Sequence, residues 1–269
     1  MLYLVKSRAG KLSTNKEQTT SVPITSFTPQ GRKSIQEVIC RELPLVIKVN
    51  SQEAATILCS PSDIEDLVFG FLYSEGFIES VEDIIDIDID SAATAVSVKI
   101  AKPFEPKACL KPLIASGGSK GRSSQKKETE VVSGKLSVST GQINILMSTF
   151  LSASTVYSAT RGIHSAAIAS PEKILIRRDD IGRHNALDKV FGSCLRNQIQ
   201  TQNHLVIISG RISSEMLLKV AAHRSPILLT KAVPTDLGIT LAHDLGITLV
   251  RCSHNLNITA YCHDWRITD

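Results

Sequence analysis

Residues 179–189 read D-D-I-G-R-H-N-A-L-D-K, and they follow at once on the apolar run Ile174, Leu175, Ile176. Seven side chains of this stretch, Asp179, Asp180, Arg183, His184, Asn185, Asp188 and Lys189, are ionisable or carry an amide. A β-branched run, a turn at Gly182 and a helix opening near Arg183 make one strand–turn–helix unit. Its charged groups then fall at the carboxyl edge of a sheet, where open α/β folds bind ligands. Arg183 and Lys189 are residue types that hold phosphate, and Asp179 or Asp180 can accept from ribose hydroxyls or a purine N–H edge. A helix N-terminus dressed with capping aspartates and solvated charge has the same composition. A second unit of the same kind weighs against that plainer reading. Residues 204–209 read as a strand that runs into Ser209, Gly210 and Arg211, ahead of helical spacing from Ser213 to Ala222.

Around these two units the pattern alternates. The spacing predicts a helix over 141–152, strands over 164–169 and 174–177, and a helix over 184–199. Further strands are expected over 227–230 and 247–251, with a helical stretch over 236–244 between them. Such alternation implies an α/β domain with a mostly parallel sheet and helices on both faces. The run 258–261 reads as an antiparallel edge strand, and Lys231 adds a cation at the end of another strand.

Upstream the pattern changes. Residues 1–38 form a polar, basic arm in which Pro23 and Pro29 are expected to break any long element. Residues 39–101 read as a smaller N-terminal α+β subdomain. It has a strand pair over 43–49 and 54–58, a helix opened by Pro61-Ser62-Asp63 and stopped by Gly76, and one or two strands within 84–100. Residues 102–135, with a charge run over 125–130, read as a functional loop or linker, and residues 136–269 as the α/β domain.

The 269 residues, 42% of them hydrophobic, suffice for one large core or a core with a satellite. A net charge of +4 is mild, and one Trp with 4% aromatic content leaves little for stacking on single-stranded nucleic acid, so no nucleic-acid partner is expected. The six cysteines are widely spread, which fits a reducing cytoplasm better than a disulfide scaffold. Neither a signal peptide nor a membrane span is expected.

Residues 180–189, with Ser209-Gly-Arg211 and with Thr160-Arg-Gly162 and His164, resemble the formate dehydrogenase accessory sulfurtransferase family. Supporting pieces are Glu42-Leu-Pro-Leu45, Ser60-Pro61 with Asp63, Glu65-Asp66-Leu67, and Ser74-Glu75-Gly76. The resemblance extends from Glu42 to Tyr261. It implies a cytoplasmic homodimer whose larger domain is a cytidine-deaminase-like three-layer α/β sheet. It further implies a protein that takes sulfur from a cysteine desulfurase and delivers it to the molybdenum bis(molybdopterin guanine dinucleotide) cofactor of the formate dehydrogenase catalytic subunit.

Family members carry the persulfide on a Cys-x-x-Cys loop. The matching loop here is Ala115-Ser-Gly-Gly-Ser-Lys-Gly121, so Ser116 and Ser119 stand where the resemblance implies cysteines. A serine hydroxyl is un-ionised near neutral pH and carries no sulfane sulfur. Cys109, beside Lys107 and Lys111, is a candidate substitute; a cysteine that merely packs is the alternative. Two readings stay open: a sulfurtransferase with a relocated thiol, and a non-catalytic chaperone that holds the cofactor. A nucleotide-acting hydrolase is a weaker third.

For cofactor binding, with a guanine nucleotide as analogue, the candidates are Asp179, Asp180, Arg183, Asn185, Ser209 and Arg211, with Gly162 and Gly210 allowing close backbone approach. His164 and His184 are read as hydrogen-bonding groups or proton shuttles, His184 equally as a buried structural residue. Lys189 is either a ligand contact or a partner in a salt bridge on its helix. The resemblance adds the turn before the last strand, Cys252, Ser253, His254, Asn255, Leu256 and Asn257. Typical members have an aromatic and an arginine at the positions of Cys252 and His254. Deaminase chemistry is not expected, because the chain has no His-x-Glu followed by Pro-Cys-x-x-Cys. Cys252, His254, Cys262 and His263 lack standard zinc spacing, so no metal is assigned.

Overall fold

The structure, a computed structural model, describes residues 17–90, 92–104, 112–114, 120–122, 130–253 and 257–269. Strand β1 (Thr19–Thr28) turns through Pro29 and Gln30 into β2 (Gly31–Cys40), and the two pair antiparallel over their full lengths. The two prolines therefore do not break this segment. Pro29 occupies the turn, where its fixed φ is useful, and Pro23 faces Gln36. In a two-residue hairpin the pair flanking the turn is hydrogen-bonded and the pairs alternate from there. Counting back from Thr28 and Gly31 makes Pro23 a non-hydrogen-bonded position, where a missing N–H costs the ladder nothing.

Strands β3 (Leu43–Val49), β4 (Gln52–Cys59), β5 (Ile84–Ile89) and β6 (Ala95–Ile100) form a sheet in the order β4-β3-β6-β5. Helix α1 (Ile64–Ser74) contributes to the same core, in which Leu45, Ile47, Leu67, Leu72 and Val96 are fully buried. Alternation of exposed and buried residues along β6 is what a one-sided sheet requires. Two short strands, β7 (Pro112–Ile114) and β8 (Lys120–Arg122), pair antiparallel.

The second half opens with β9 (Val138–Ser139) and α2 (Thr140–Ser152), whose first turn is closed by a reciprocal Ser139–Gln142 capping box. Then come α3 (Thr155–Thr160), β10 (His164–Ala169), β11 (Ile174–Asp180), α4 (Arg183–Arg196), β12 (Leu205–Ile208) and α5 (Ser214–Ala222). The chain continues through β13 (Ile227–Thr230), α6 (Asp236–Asp244), β14 (Thr248–Cys252), β15 (Ile258–Cys262) and β16 (Ile267–Thr268), the last paired with β9. Six strands form one sheet in the order β11-β10-β12-β13-β14-β15. One face packs on α2 through Ala167, Ile207 and Leu229. The other packs on α4 and α5 through Ile168, Val206 and Leu228.

The sheet is mixed, which corrects the expectation of a mostly parallel one. Helical crossovers make β12, β13 and β14 parallel, whereas β10–β11, β10–β12 and β14–β15 are antiparallel. The turn around Pro171 and Glu172, closed by Ser170 N–H donating to Lys173 O at 2.9 Å, is too short for a crossover. The antiparallel edge expected for β15 is present.

Helices α1 and α4 bind the two halves together. They approach so closely that a methyl carbon added at Gly70 would lie 1.9 Å from the Asp188 carbonyl oxygen, and one added at Gly192 would lie 1.8 Å from that of Asp66. Around this contact Arg178 donates to Asp66 at 2.8 Å, Arg196 to Asp66 at 2.6 Å, and Lys219 to Asp188 at 2.6 Å. Among the described residues no helix is long and apolar enough to cross a membrane.

Candidate functional site

The strand directions gather the sequence candidates on one edge. β11, β12, β13 and β14 end there, and β10 and β15 begin there, because His164 pairs with Asp180, Ile208 is level with Ala166 and Thr230, and Cys252 pairs with Ile258. His164, Asp179, Asp180, Ser209, Gly210, Arg211, Lys231, Cys252, Ser253 and Asn257 therefore line a single rim. Strands about 4.8 Å apart make six of them span roughly 24 Å. His254, Asn255 and Leu256 lie outside the described residues, as do Cys109, Ser116 and Ser119.

Asp179 and Asp180, expected to face the ligand, are instead turned inward. Asp180 is fully buried and ion-paired with the equally buried Lys189 at 2.7 Å. Its carboxylate also accepts from the Ser60 and Gly182 backbone N–H groups at 3.0 and 2.9 Å and from the Asn185 amide at 2.9 Å. Lys189 Nζ donates further to Ser60 O at 3.2 Å and Asp179 O at 3.4 Å, so neither sequence reading of Lys189 holds. It is a strut between the segment after β4, the end of β11 and α4. Asp179 accepts from Ser165 at 2.6 Å, Ser154 at 2.8 Å and Arg177 at 2.7 Å. Asn185 is committed as well, donating to Leu58 O at 2.8 Å. A charge cluster at a strand end is legible in sequence; which charges cancel inside the fold is not.

Beside the paired aspartates the rim carries the cationic residues Arg183, Arg211, Lys231 and Arg251, with the Glu215 carboxylate near His184. Arg211 is exposed in the loop between β12 and α5. Gly210 brings that loop against α4, since an added methyl carbon would lie 3.3 Å from Arg183 Cβ and 3.3 Å from His164 Nδ1. The Gly210 carbonyl is fixed by the Thr230 hydroxyl at 3.0 Å, and Ser165 N–H donates to the Ser209 hydroxyl at 2.9 Å. Helices α4 and α5 open onto this rim without a side-chain cap, whereas α2, α3 and α6 are capped by Ser139, Ser154 and Thr235. Uncapped N-termini present backbone N–H groups and a positive dipole end to an anion.

Burial, then the neighbouring Lys219 and Arg183, pushes the His184 imidazole down to about 3. His184 is thus neutral, and Nε2, 3.2 Å from Glu215 Oε2, makes no ion pair and is not aligned for a hydrogen bond. Burial and Arg183 also lower His164. Two neutral imidazoles beside cations suit hydrogen bonding better than proton shuttling near neutral pH.

Several buried polar atoms along this rim, Arg251 Nε, Ser253 Oγ, Ser213 Oγ and His184 Nε2, have no hydrogen-bond partner among the described residues. Buried polar groups are ordinarily satisfied, so these atoms are available to water or to a polar ligand. Arg251 and Ser213 were missed in sequence. Arg251 closes a strand pattern, a signal that could have flagged it; Ser213 looks like an ordinary cap residue. Cys252, in contrast, belongs to the core beneath the rim, and burial pushes its thiol up to about 12.

A further residue was also missed. Cys40, at the end of β2, lies 3.1 Å from the Thr160 hydroxyl, and an added methyl carbon at Gly162 would lie 3.3 Å from its sulfur. No local signal links positions 120 residues apart. Burial pushes the Cys59 and Cys194 thiols up to about 12 and also raises Cys262.

The FdhD/NarQ family pattern matches residues 40–268. The chain belongs to the FdhD/NarQ family. It is 39% identical over 251 residues to the sulfur carrier protein FdhD of Geobacillus kaustophilus, covering 91% of this chain and 95% of that protein. It is 36% identical to the sulfur carrier protein FdhD of Staphylococcus aureus strain Newman, covering 95% of this chain and 98% of that protein. Among solved structures, a protein from Desulfotalea psychrophila assigned as a formate dehydrogenase accessory protein superposes with a TM-score of 0.78 at 26% identity. That match covers 93% of this chain and 100% of the other. Within the FdhD/NarQ family this member is atypical, for its six cysteines, at 40, 59, 109, 194, 252 and 262, include no Cys-x-x-Cys pair.

Proposed function

We propose that this protein is a maturation factor for formate dehydrogenase that holds the guanine-nucleotide ends of molybdenum bis(molybdopterin guanine dinucleotide) along the cationic rim. The observation that carries the reading is the pairing of two uncapped helix N-termini with unsatisfied buried polar atoms on that rim. Those donors fit an anionic, hydrogen-bonding client. Arg183 and Arg211 would contact phosphate, with Gly210 admitting it closely. Ser213, Arg251 and Ser253 would take polar groups of the nucleotide. Asn257 and Lys231 lie on the same rim and Gly162 just ahead of β10, and the turn at 254–256 is assigned to the rim on the family resemblance. Asp179, Asp180, Asn185 and Lys189 support the rim from beneath.

Support for the activity comes from relatives named sulfur carrier proteins at 36–39% identity over nearly the whole chain. The three-layer body is taken as the cytidine-deaminase-like arrangement that the family resemblance implies, without deaminase chemistry. The same resemblance points to a cytoplasmic homodimer that meets a cysteine desulfurase and the formate dehydrogenase catalytic subunit.

With Ser116 and Ser119 unable to carry sulfur, the primary reading is a cofactor-holding chaperone. Sulfur transfer through a relocated thiol is the second reading, supported by the contact of Cys40 with Thr160 beside the rim. Cys109 is the other candidate thiol. Intact mass after incubation with a desulfurase and cysteine separates the two. The chaperone reading predicts no reducible gain of about 32 Da, under conditions that load a Cys-x-x-Cys relative. A gain abolished by Cys40→Ser or Cys109→Ser would replace it with sulfur transfer.

A further inference from the structure

The hairpin formed by β1 and β2 is a two-stranded sheet of its own, and no other strand among the described residues pairs with it. Every residue of β2 except Cys40 is exposed, Ile35 by 46%. Val22, Ile24, Ile35 and Ile39 share one face, because Ile24 pairs with Ile35 and Thr20 with Ile39. On this face Val22 and Ile24 are half-buried and Ile35 and Ile39 exposed, and a lone two-stranded ribbon is marginal in water, where three or more strands are ordinarily needed. On the opposite face Phe27 is 79% exposed, with the Arg32 guanidinium 6.0 Å over its ring.

The two outer edges differ. That of β1 is interrupted at Pro23, which has no N–H to donate. The hairpin register turns the backbone groups of Arg32, Ser34, Gln36 and Val38 outward along β2. Among the described residues, the far end of β2 meets the body through Cys40 and Thr160. The outward edge is self-complementary. When β2 is laid antiparallel on a copy of itself with Ile35 on the two-fold axis, Ser34 is hydrogen-bonded opposite Gln36 and Arg32 opposite Val38. Lys33 then faces Glu37 of the second copy, and Glu37 faces Lys33. These charge pairs and the Ile35 pair fall at the non-hydrogen-bonded positions, where opposing side chains come closest.

We propose that two copies of this chain associate through β2, forming a four-stranded antiparallel sheet whose apolar face runs through Ile24 and Ile35 of both copies. This rests on the homodimer reading above and gives it a surface. An isologous interface of this kind requires self-complementarity, which the Lys33 and Glu37 spacing supplies.

The test is sedimentation velocity on the full chain over a concentration series. Lys33→Glu and Glu37→Lys are each expected to weaken the dimer at least about tenfold, by replacing two attractive pairs with repulsive ones. The double variant K33E/E37K is expected to recover most of that loss. Ile35→Cys should give a reducible covalent dimer on mild oxidation, and Phe27→Cys, on the opposite face, should not. A wild-type chain that stays monomeric throughout would remove the homodimer reading and this surface with it. A dimer indifferent to both single reversals and uncrosslinked by Ile35→Cys would overturn the surface while leaving the dimer.

Discussion

Lys189→Met is expected to lower the melting temperature by on the order of 10 °C. The substitution leaves the Asp180 carboxylate, at 0% exposure, without its counter-ion. Removing one partner of a buried ion pair costs about 3–5 kcal/mol. At this chain length each kcal/mol corresponds to roughly 2–4 °C. The remaining donors, from Ser60, Gly182 and Asn185, hold the carboxylate in place without neutralising it. Adding Asp180→Asn to the same chain should recover more than half of the loss, because no bare charge then remains inside. Circular dichroism melts of the single and double variants check both statements. A single-variant shift below about 3 °C would mean that water reaches the pair. The functional consequence follows from position: the pair holds the start of α4, so Arg183 loses its seat on the rim along with it.

A comparable loss is expected for Gly70→Ala and for Gly192→Ala. The added methyl carbons would sit 1.9 and 1.8 Å from backbone carbonyl oxygens of the facing helix, which cannot swing aside as a side chain would. Helices α1 and α4 must part, and the Arg178–Asp66, Arg196–Asp66 and Lys219–Asp188 pairs stretch with them. Overpacking of a core commonly costs 1–3 kcal/mol, and backbone against backbone belongs at or above about the top of that range. Gly141→Ala is the matched control. Its added carbon meets nothing closer than Ser139 Oγ at 3.8 Å, and alanine favours the helix. Urea titrations should place the first two midpoints well below wild type and the control at or above it.

These two features show where sequence reading works and where it stops. Most strands and helices of residues 136–269 were legible because apolar periodicity and the turn at Gly182 are local signals, whereas α3 and the two-residue strands β9 and β16 are too short to show one. The strand ends also placed Ser209, Gly210 and Arg211 on the same edge as residues 179–185. The hairpin at 19–40 was missed because a proline reads as a breaker unless its N–H direction is known, and that direction depends on the pairing partner. Asp180 and Lys189 looked like ligand groups for a related reason. Their cancellation depends on a loop about 120 residues upstream, at Ser60, closing over them. Cys40 beside Thr160 is a contact of the same long-range kind.

The most direct test of the cofactor-holding rim is calorimetric titration of the full chain with guanosine diphosphate, beside an Arg211→Ala variant. Arg211 is exposed, so its removal should leave the melting temperature within about 1–2 °C of wild type, as surface substitutions do. The account predicts saturable binding that weakens about 10- to 100-fold in the variant and diminishes as salt is raised. Absence of binding by the wild-type chain, or equal affinity in both proteins, would contradict the assignment of this rim to the nucleotide ends of the cofactor.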